Sequence, residues 1–160
     1  MVKTADAGST ADRPAVLIVD DEEGIRKLLT AVLSEKGYSA DSCATGQEAI
    51  EKADGRFYDV ALIDIFLPDV SGVELLKRMR ERKPRTRKII MTGHPSLQNA
   101  VEALNRGADA YMMKPLDVEK VLATVKEQLE KQNEERAIVR AAFLNLVLCE
   151  TLDSCIRKRR

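Results

Sequence analysis

Short β-branched apolar runs alternate along this chain with helical apolar stripes, and few folds accommodate that alternation. Ala15–Val19 and Val60–Asp64 are too apolar to be half exposed. Each must be covered on both faces, as the central strands of a parallel sheet are. Residues 38–44, 88–92 and Ala110–Met113 supply three further strand-like runs, the first weaker and suited to a sheet edge. Between them, Ile25, Leu28, Leu29, Val32 and Leu33 follow the i, i+3, i+4, i+7, i+8 spacing of an amphipathic helix, and Gly37 stands where a left-handed C-terminal cap is wanted. Thr45 with Glu48 and Ser71 with Glu74 form capping-box patterns. One precedes Ala49, Ile50 and Ala53; the other precedes Val73, Leu76 and Met79, a stripe that stops before Pro84. Leu97, Ala100, Val101 and Leu104 make a fourth stripe closed by Gly107. Asp117 can cap a fifth that carries Val118, Val121, Leu122, Val125 and Leu129. Five strands alternating with five helices describe an α/β sheet with crossover helices.

In such a sheet, ligands bind outside the carboxyl ends of the strands. Asp20 and Asp21 close the first run, Asp64 closes the third, and Lys114 follows the fifth, so three acids and a lysine should converge on one pocket. The 26 basic residues balance the 26 acidic ones, so global charge argues for neither nucleic acid nor an acidic membrane surface. Cys43, Cys149 and Cys155 are too few and too scattered for a disulfide framework or a metal cluster, and read as reduced thiols of a cytoplasmic protein. Residues 1–13 are polar and small, with no apolar core for a signal sequence, and read as a flexible tail.

Val19-Asp20-Asp21-Glu22, Asp64 with Leu67-Pro68-Asp69-Val70-Ser71-Gly72, Met91-Thr92-Gly93, and Tyr111-Met112-Met113-Lys114-Pro115 together resemble the receiver domain of two-component response regulators. All the marks stand in order and cover residues 14–131. The resemblance implies a flavodoxin-like sheet in the order 2-1-3-4-5. It also implies Asp64 as phosphoacceptor for a histidine kinase or phosphotransfer protein, the backbone carbonyl of Phe66 as a metal ligand, and a cis Lys114-Pro115 bond. Tyr111 would turn inward when Thr92 moves.

The chemistry suits the residues. Phosphoryl transfer spreads charge over three equatorial oxygens and is catalysed by positioning and electrostatics, so an attacking carboxylate needs cations beside it. Asp21 and Asp64, with Asp20 directly or through a water, could hold Mg²⁺. Lys114 is then the point charge on the phosphoryl oxygens and Thr92 a hydroxyl donor. The protein so read is a phosphoacceptor that assists its own phosphorylation and dephosphorylation, and not an enzyme with turnover.

Each residue has a plainer reading. Asp20, Asp21 and Glu22 are also the acids a helix N-terminus favours, Thr92 is at home at a strand end, and Tyr111 can be a core aromatic. His94 reads as exposed loop filler. A haloacid-dehalogenase-like phosphohydrolase needs a second Asp two residues after the nucleophile, where this chain has Phe66. A flavin-binding module needs a phosphate cradle where Asp20-Asp21-Glu22-Glu23 would repel it.

Residues 127–136 are highly charged and read as a solvated helical stretch. Residues 137–156 form an apolar segment broken by Arg140, Asn145, Glu150 and Asp153, and these breaks argue against a membrane span. Such a helix must bury itself somewhere, and a self-association or partner interface is the reading preferred over a membrane surface. The basic tetrad 157–160 is weak evidence for nucleic acid, and none is expected to bind. The chain thus divides into a tail (1–13), a receiver (14–131) and a helical extension (132–160) that leaves no room for a helix-turn-helix. The expected output is a phosphorylation-dependent contact with a downstream protein through residues 97–107, Ala110–Met113 and the helix after Pro115, with a homodimer through that face or the extension. The alternative is a receiver fragment, or degenerate relative, of a longer DNA-binding transcription regulator.

Overall fold

The five apolar runs become the strands of one sheet. The computed structural model describes residues 13–157, with side chains described for 13–147. In it β1 (Ala15–Val19), β2 (Ser39–Cys43), β3 (Val60–Asp64), β4 (Arg87–Thr92) and β5 (Ala110–Met113) alternate with α1 (Glu23–Glu35), α2 (Gly46–Gly55), α3 (Gly72–Arg82), α4 (Leu97–Asn105) and α5 (Val118–Arg157). All pairings are parallel and the order is β2-β1-β3-β4-β5, as the resemblance implies. The tail before Arg13 and the side chains of Cys149, Cys155 and the terminal basic tetrad lie outside the described residues.

Period-2 alternation splits the core in two. Leu17, Val19, Ala61, Ile63 and Ile90 pack against Ala49 and Ala53 of α2, Leu75, Leu76 and Met79 of α3, and Ala103 of α4. Val16, Ile18, Val60, Leu62, Ile89 and Met91 face Leu29 and Leu33 of α1 and Val121, Val125 and Leu129 of α5. Burial pushes the Cys43 thiol up to about 12, which leaves it inert.

Local signals hold. Thr45 Oγ1 accepts from the Glu48 amide and Ser71 Oγ from the Glu74 amide, each at 3.2 Å. Gly37 and Gly107 take the positive φ of left-handed caps, 91° and 96°.

The α4 stripe is left largely uncovered: Ala103 is the buried residue of that helix, while Leu97, Val101 and Leu104 are exposed, as a contact surface at 97–107 would be. The helix packs beside the edge strand β5. The stretch 127–136 is helical and mostly exposed, as expected, but one face of it is not solvated. α5 runs unbroken through the expected 131/132 boundary, and Gln128 and Gln132 are buried. Gln132 Nε2 donates to the carbonyls of Asp59 (3.2 Å) and Arg85 (2.6 Å) in the loops entering β3 and β4; the Asp59 carbonyl also accepts from the Arg87 amide at 2.8 Å. Arg87 pairs with Glu135 (2.5 Å) and Asp109 (2.8 Å), and Arg136 pairs with Asp59 (3.5 Å) while stacking over the Phe57 ring.

Candidate functional site

The carboxyl ends of β1, β3 and β5 place Asp20, Asp64 and Lys114 against one another. Lys114 Nζ lies 2.8 Å from Asp20 Oδ2, 2.8 Å from Asp64 Oδ2 and 3.2 Å from Glu22 Oε1. Asp20 is wholly buried and Asp64 nearly so. Burial pushes the Asp20 carboxyl above its ordinary range, with Lys114 and the Glu22 amide pulling the other way. Desolvation alone would lower the Lys114 ammonium, but its hydrogen bonds to Asp20 and Asp64 reverse that and hold it well above the usual lysine range.

The backbone around the acids is fixed by residues that the sequence reading passed over. Arg26 Nη1 donates to the carbonyls of Asp20 and Asp21, both at 2.8 Å, tying the acidic loop to α1. Asp20 Oδ1 accepts from the Glu22 amide (2.9 Å) and Asp64 Oδ1 from the Phe66 amide (3.1 Å), so each acid keeps its other oxygen for the pocket. Downstream, Asp69 accepts from the Gly46 and Gln47 amides at 2.9 Å each. Its slight desolvation works against the shift, but these bonds prevail and its carboxyl lies below the ordinary range. Gly72 is required by contact. A Cβ there would stand 2.1 Å from the Asp64 carbonyl oxygen and 2.7 Å from Ile65 Cα, so only glycine lets α3 start this close to the end of β3. An arginine five residues past an acid pair looks like any helix surface charge. The glycine was quoted within a motif, but no pattern announced the close approach.

Carboxylate oxygens from Asp20, Asp21 and Asp64 lie within 4.8 Å of one another. Three hard oxygen donors with a single ammonium among them fit a hard divalent cation, which prefers carboxylates, carbonyls and water. The surrounding cavity of about 340 Å³ is lined by Asp21, Glu22, Asp64, Phe66, Gly93, His94 and Lys114. Its size and acidic wall suit a phosphoryl group and a cation better than a bulky apolar ligand.

Thr92, buried at the end of β4, accepts from the His94 amide at 3.1 Å. The Lys114 amide donates to the Thr92 carbonyl (2.7 Å), and the Lys114-Pro115 bond is cis, as the resemblance implies. Tyr111 pairs in register with Ile90, on the face that also carries Thr92. It packs against the core there, half buried, and among the described residues its enclosed hydroxyl has no hydrogen-bond partner. His94 is exposed as expected but is more than filler: its ring meets the Phe66 ring edge-on, centroids 5.6 Å apart, at the rim of the pocket.

The model of the response regulator receiver domain matches residues 16–126. The response regulator ArlR of Staphylococcus aureus is 32% identical over 123 residues, covering 77% of this chain and 56% of that protein. This chain therefore spans little more than half the length of the curated relatives it matches. Among solved structures, a CheY-like receiver domain protein from Methanospirillum hungatei JF-1 superposes with a TM-score of 0.76 at 40% identity, covering 78% of this chain and 99% of that one. A response regulator from Burkholderia pseudomallei, solved with a phosphorylated aspartic acid, a calcium ion and citrate, superposes at 0.68 with 29% identity, covering 78% and 74%.

Proposed function

The chain belongs to the response regulator receiver family, phosphoacceptor signalling modules of two-component systems, and from that premise we propose that Asp64 is its phosphoacceptor. The observation that carries the proposal is the convergence on Asp64 Oδ2 of a lysine from another strand end, with two further acids beside it. An Asp64 oxygen forms the new P–O bond as the P–N bond to a donor phosphohistidine breaks, the imidazole leaving with the electron pair of that bond. The donor is a histidine kinase or a phosphotransfer protein.

Lys114 offsets charge on the phosphoryl oxygens. The Thr92 hydroxyl, at present an acceptor for the His94 amide, rotates to donate to one of them. Asp20, Asp21, Asp64 and the Phe66 carbonyl would hold Mg²⁺, which when bound supplies further charge neutralisation. The same set assists the return of the phosphoryl group to water, so the protein limits the lifetime of its own signal. Movement of Thr92 is read by Tyr111, and through it by the exposed apolar side chains of Leu97, Val101, Leu104 and Met113, the contact surface for a downstream protein. Residues 14–131 form this receiver, and the rest of α5 extends it. The calcium ion and phosphorylated aspartate in the Burkholderia relative support the metal and acceptor assignments.

Among the described residues no helix is long and apolar enough to cross a membrane, and we assign the exchange to the cytoplasm. DNA binding by a longer regulator is the second reading, and no observation here favours it. Incubation with Mg²⁺ and acetyl phosphate should add one phosphoryl group to the chain and none to Asp64→Asn. Equal labelling of that variant would refute the assignment.

A further inference from the structure

α5 leaves the base of the sheet from a fixed anchor. Gln132 holds the carbonyls of Asp59 and Arg85, while Glu135 and Arg136 pair with Arg87 and Asp59. Past that anchor the helix stands off from the loop between α3 and β4, at the end of the sheet opposite the acidic pocket. The corner between them is a groove of about 530 Å³, with Pro84, Val139 and Phe143 as its apolar lining and Arg85, Arg136 and Arg140 among its cations. Val139 and Phe143 are 68% and 67% exposed, so the lining is open to a ligand. The charge nearby is uneven. Residues 77–88 carry eight basic side chains and one acid, Glu81, in a chain that is neutral overall. The acids in reach are already paired: Asp54 with Arg82 and Lys83, Asp109 and Glu135 with Arg87, Asp59 with Arg136. Arg85 and Arg140, both exposed, make no ion pair among the described residues.

We propose that this groove receives an acidic segment of a partner protein, its apolar side against Pro84, Val139 and Phe143 and its carboxylates on Arg85 and Arg140. Burial of apolar side chains supplies affinity, and the two guanidiniums, whose planar forks match carboxylates, select the acidic sequence. Gln132, itself buried, also borders the groove, and its Oε1 has no hydrogen-bond partner among the described residues. A donor is wanted there, and a peptide brings amide donors. The alternatives fit less well. An inorganic anion would answer the arginines and leave the apolar lining wet. A nucleic-acid duplex would lay phosphates over Val139 and Phe143 and beside Glu135, where its polar and strongly cationic kind of interface is lacking. A bilayer surface is too flat to enter a corner between a loop and a helix. The proposal goes beyond phosphoacceptance and does not depend on it, because it rests on α5 and the base of the sheet alone.

The test uses the full, unphosphorylated chain in EDTA, so its result does not draw on Asp64 being an acceptor. Random peptides displayed on phage are selected on the immobilised chain, and the enriched sequences are made as fluorescent peptides and titrated by polarisation. The selection should enrich peptides that combine glutamate or aspartate with leucine, phenylalanine or tryptophan. The double variant Arg85→Glu, Arg140→Glu and the single variant Phe143→Ser should each weaken the best peptide by about tenfold or more. Their melting temperatures should stay near that of the parent, because all three side chains are exposed. With lysine in place of its acids, the peptide should prefer the charge-reversed variant to the parent. No enrichment, enrichment of peptides without acids, or equal affinity for parent and variants would overturn the proposal. So would preferential binding of a short DNA duplex, of phosphatidylglycerol vesicles or of a second copy of the chain, lost in the same variants, since each names a different occupant.

Discussion

Lys114→Met is the sharpest perturbation of the pocket, because this ammonium is the cation that two buried carboxylates share. Asp20 and Asp64 each approach it to 2.8 Å, with exposures of 0% and 4%. Removing one partner of a buried ion pair costs about 3–5 kcal/mol, because the other is left charged and unpaired. The pocket opens to water, which screens the charges and moves the cost down to about 2–4 kcal/mol in metal-free buffer at neutral pH. For a chain of 160 residues that is a fall in melting temperature of about 4–16 °C.

The loss must shrink in acid. Asp20 has a raised folded-state pKa, chiefly from burial, so between its unfolded and folded values the native state binds more protons and stability falls as pH rises. Without Lys114 that folded value rises further, and protonation below it relieves the variant more than the parent. In the parent, the raised Lys114 pKa makes its contribution complete below the unfolded lysine value and lost only as pH climbs through the folded one. Mg²⁺ should favour the variant still more clearly, since the ammonium no longer competes for the same oxygens. At a hundred times its dissociation constant the ion adds about 2.7 kcal/mol. Thermal melts in EDTA and in Mg²⁺, at pH 5 and pH 8, read all of this. A metal-free variant that melts with the parent at pH 8, or gains no more from Mg²⁺ than the parent does, refutes the account of Lys114 as the cation holding these acids together.

Asp21→Ala should leave the metal-free melting temperature nearly unchanged, because this exposed side chain lies outside the Lys114 ion pairs, yet should erase the stabilisation by Mg²⁺. Gly72→Ala forces a methyl to within 2.1 Å of the Asp64 carbonyl oxygen; overpacking against backbone should destabilise by about 3 kcal/mol or more, with slower labelling by acetyl phosphate. Thr92→Ala should still accept phosphate, while the phosphorylation-dependent NMR shifts across α4 and Tyr111 are lost. Gln132→Ala leaves the Arg85 carbonyl without its side-chain donor, while the Asp59 carbonyl keeps the Arg87 amide, and should cost about 1–2 kcal/mol, seen as faster hydrogen exchange in α5 from that residue onward.

Strand ends betrayed this pocket because an acid directly after four or five apolar residues has no packing role to explain it. Asp20 and Asp64 are in the structure the buried acids that this reasoning requires, and Lys114 meets them from a strand end fifty residues further on. The supports of the site carry no such contradiction. Arg26 belongs on a helix surface by its type, Gly72 acts through a backbone distance that appears only once β3 and α3 are brought together, and Asp69 through amides of the start of α2 that only the folded chain brings to it. His94 is exposed by any reckoning, and only the Phe66 ring across the pocket makes it part of the rim.

Two helices show what hydropathy alone leaves out. α4 has an apolar stripe at helical spacing, but burial needs a neighbour, and Leu97, Val101 and Leu104 stay exposed, as suits the contact face expected there. α5 differs in the opposite direction. Its middle is polar because the base of the sheet is polar: the loops entering β3 and β4 present the Asp59 and Arg85 carbonyls, and Arg87 arrives already paired to Asp109. A glutamine there binds better than a leucine, since a leucine would leave the Arg85 carbonyl without its donor. Gln132, Glu135 and Arg136 thus hold the helix to the receiver one turn past the apolar core. The exposed stripe that follows leaves the sheet from a clamped base, in a direction fixed by the receiver itself.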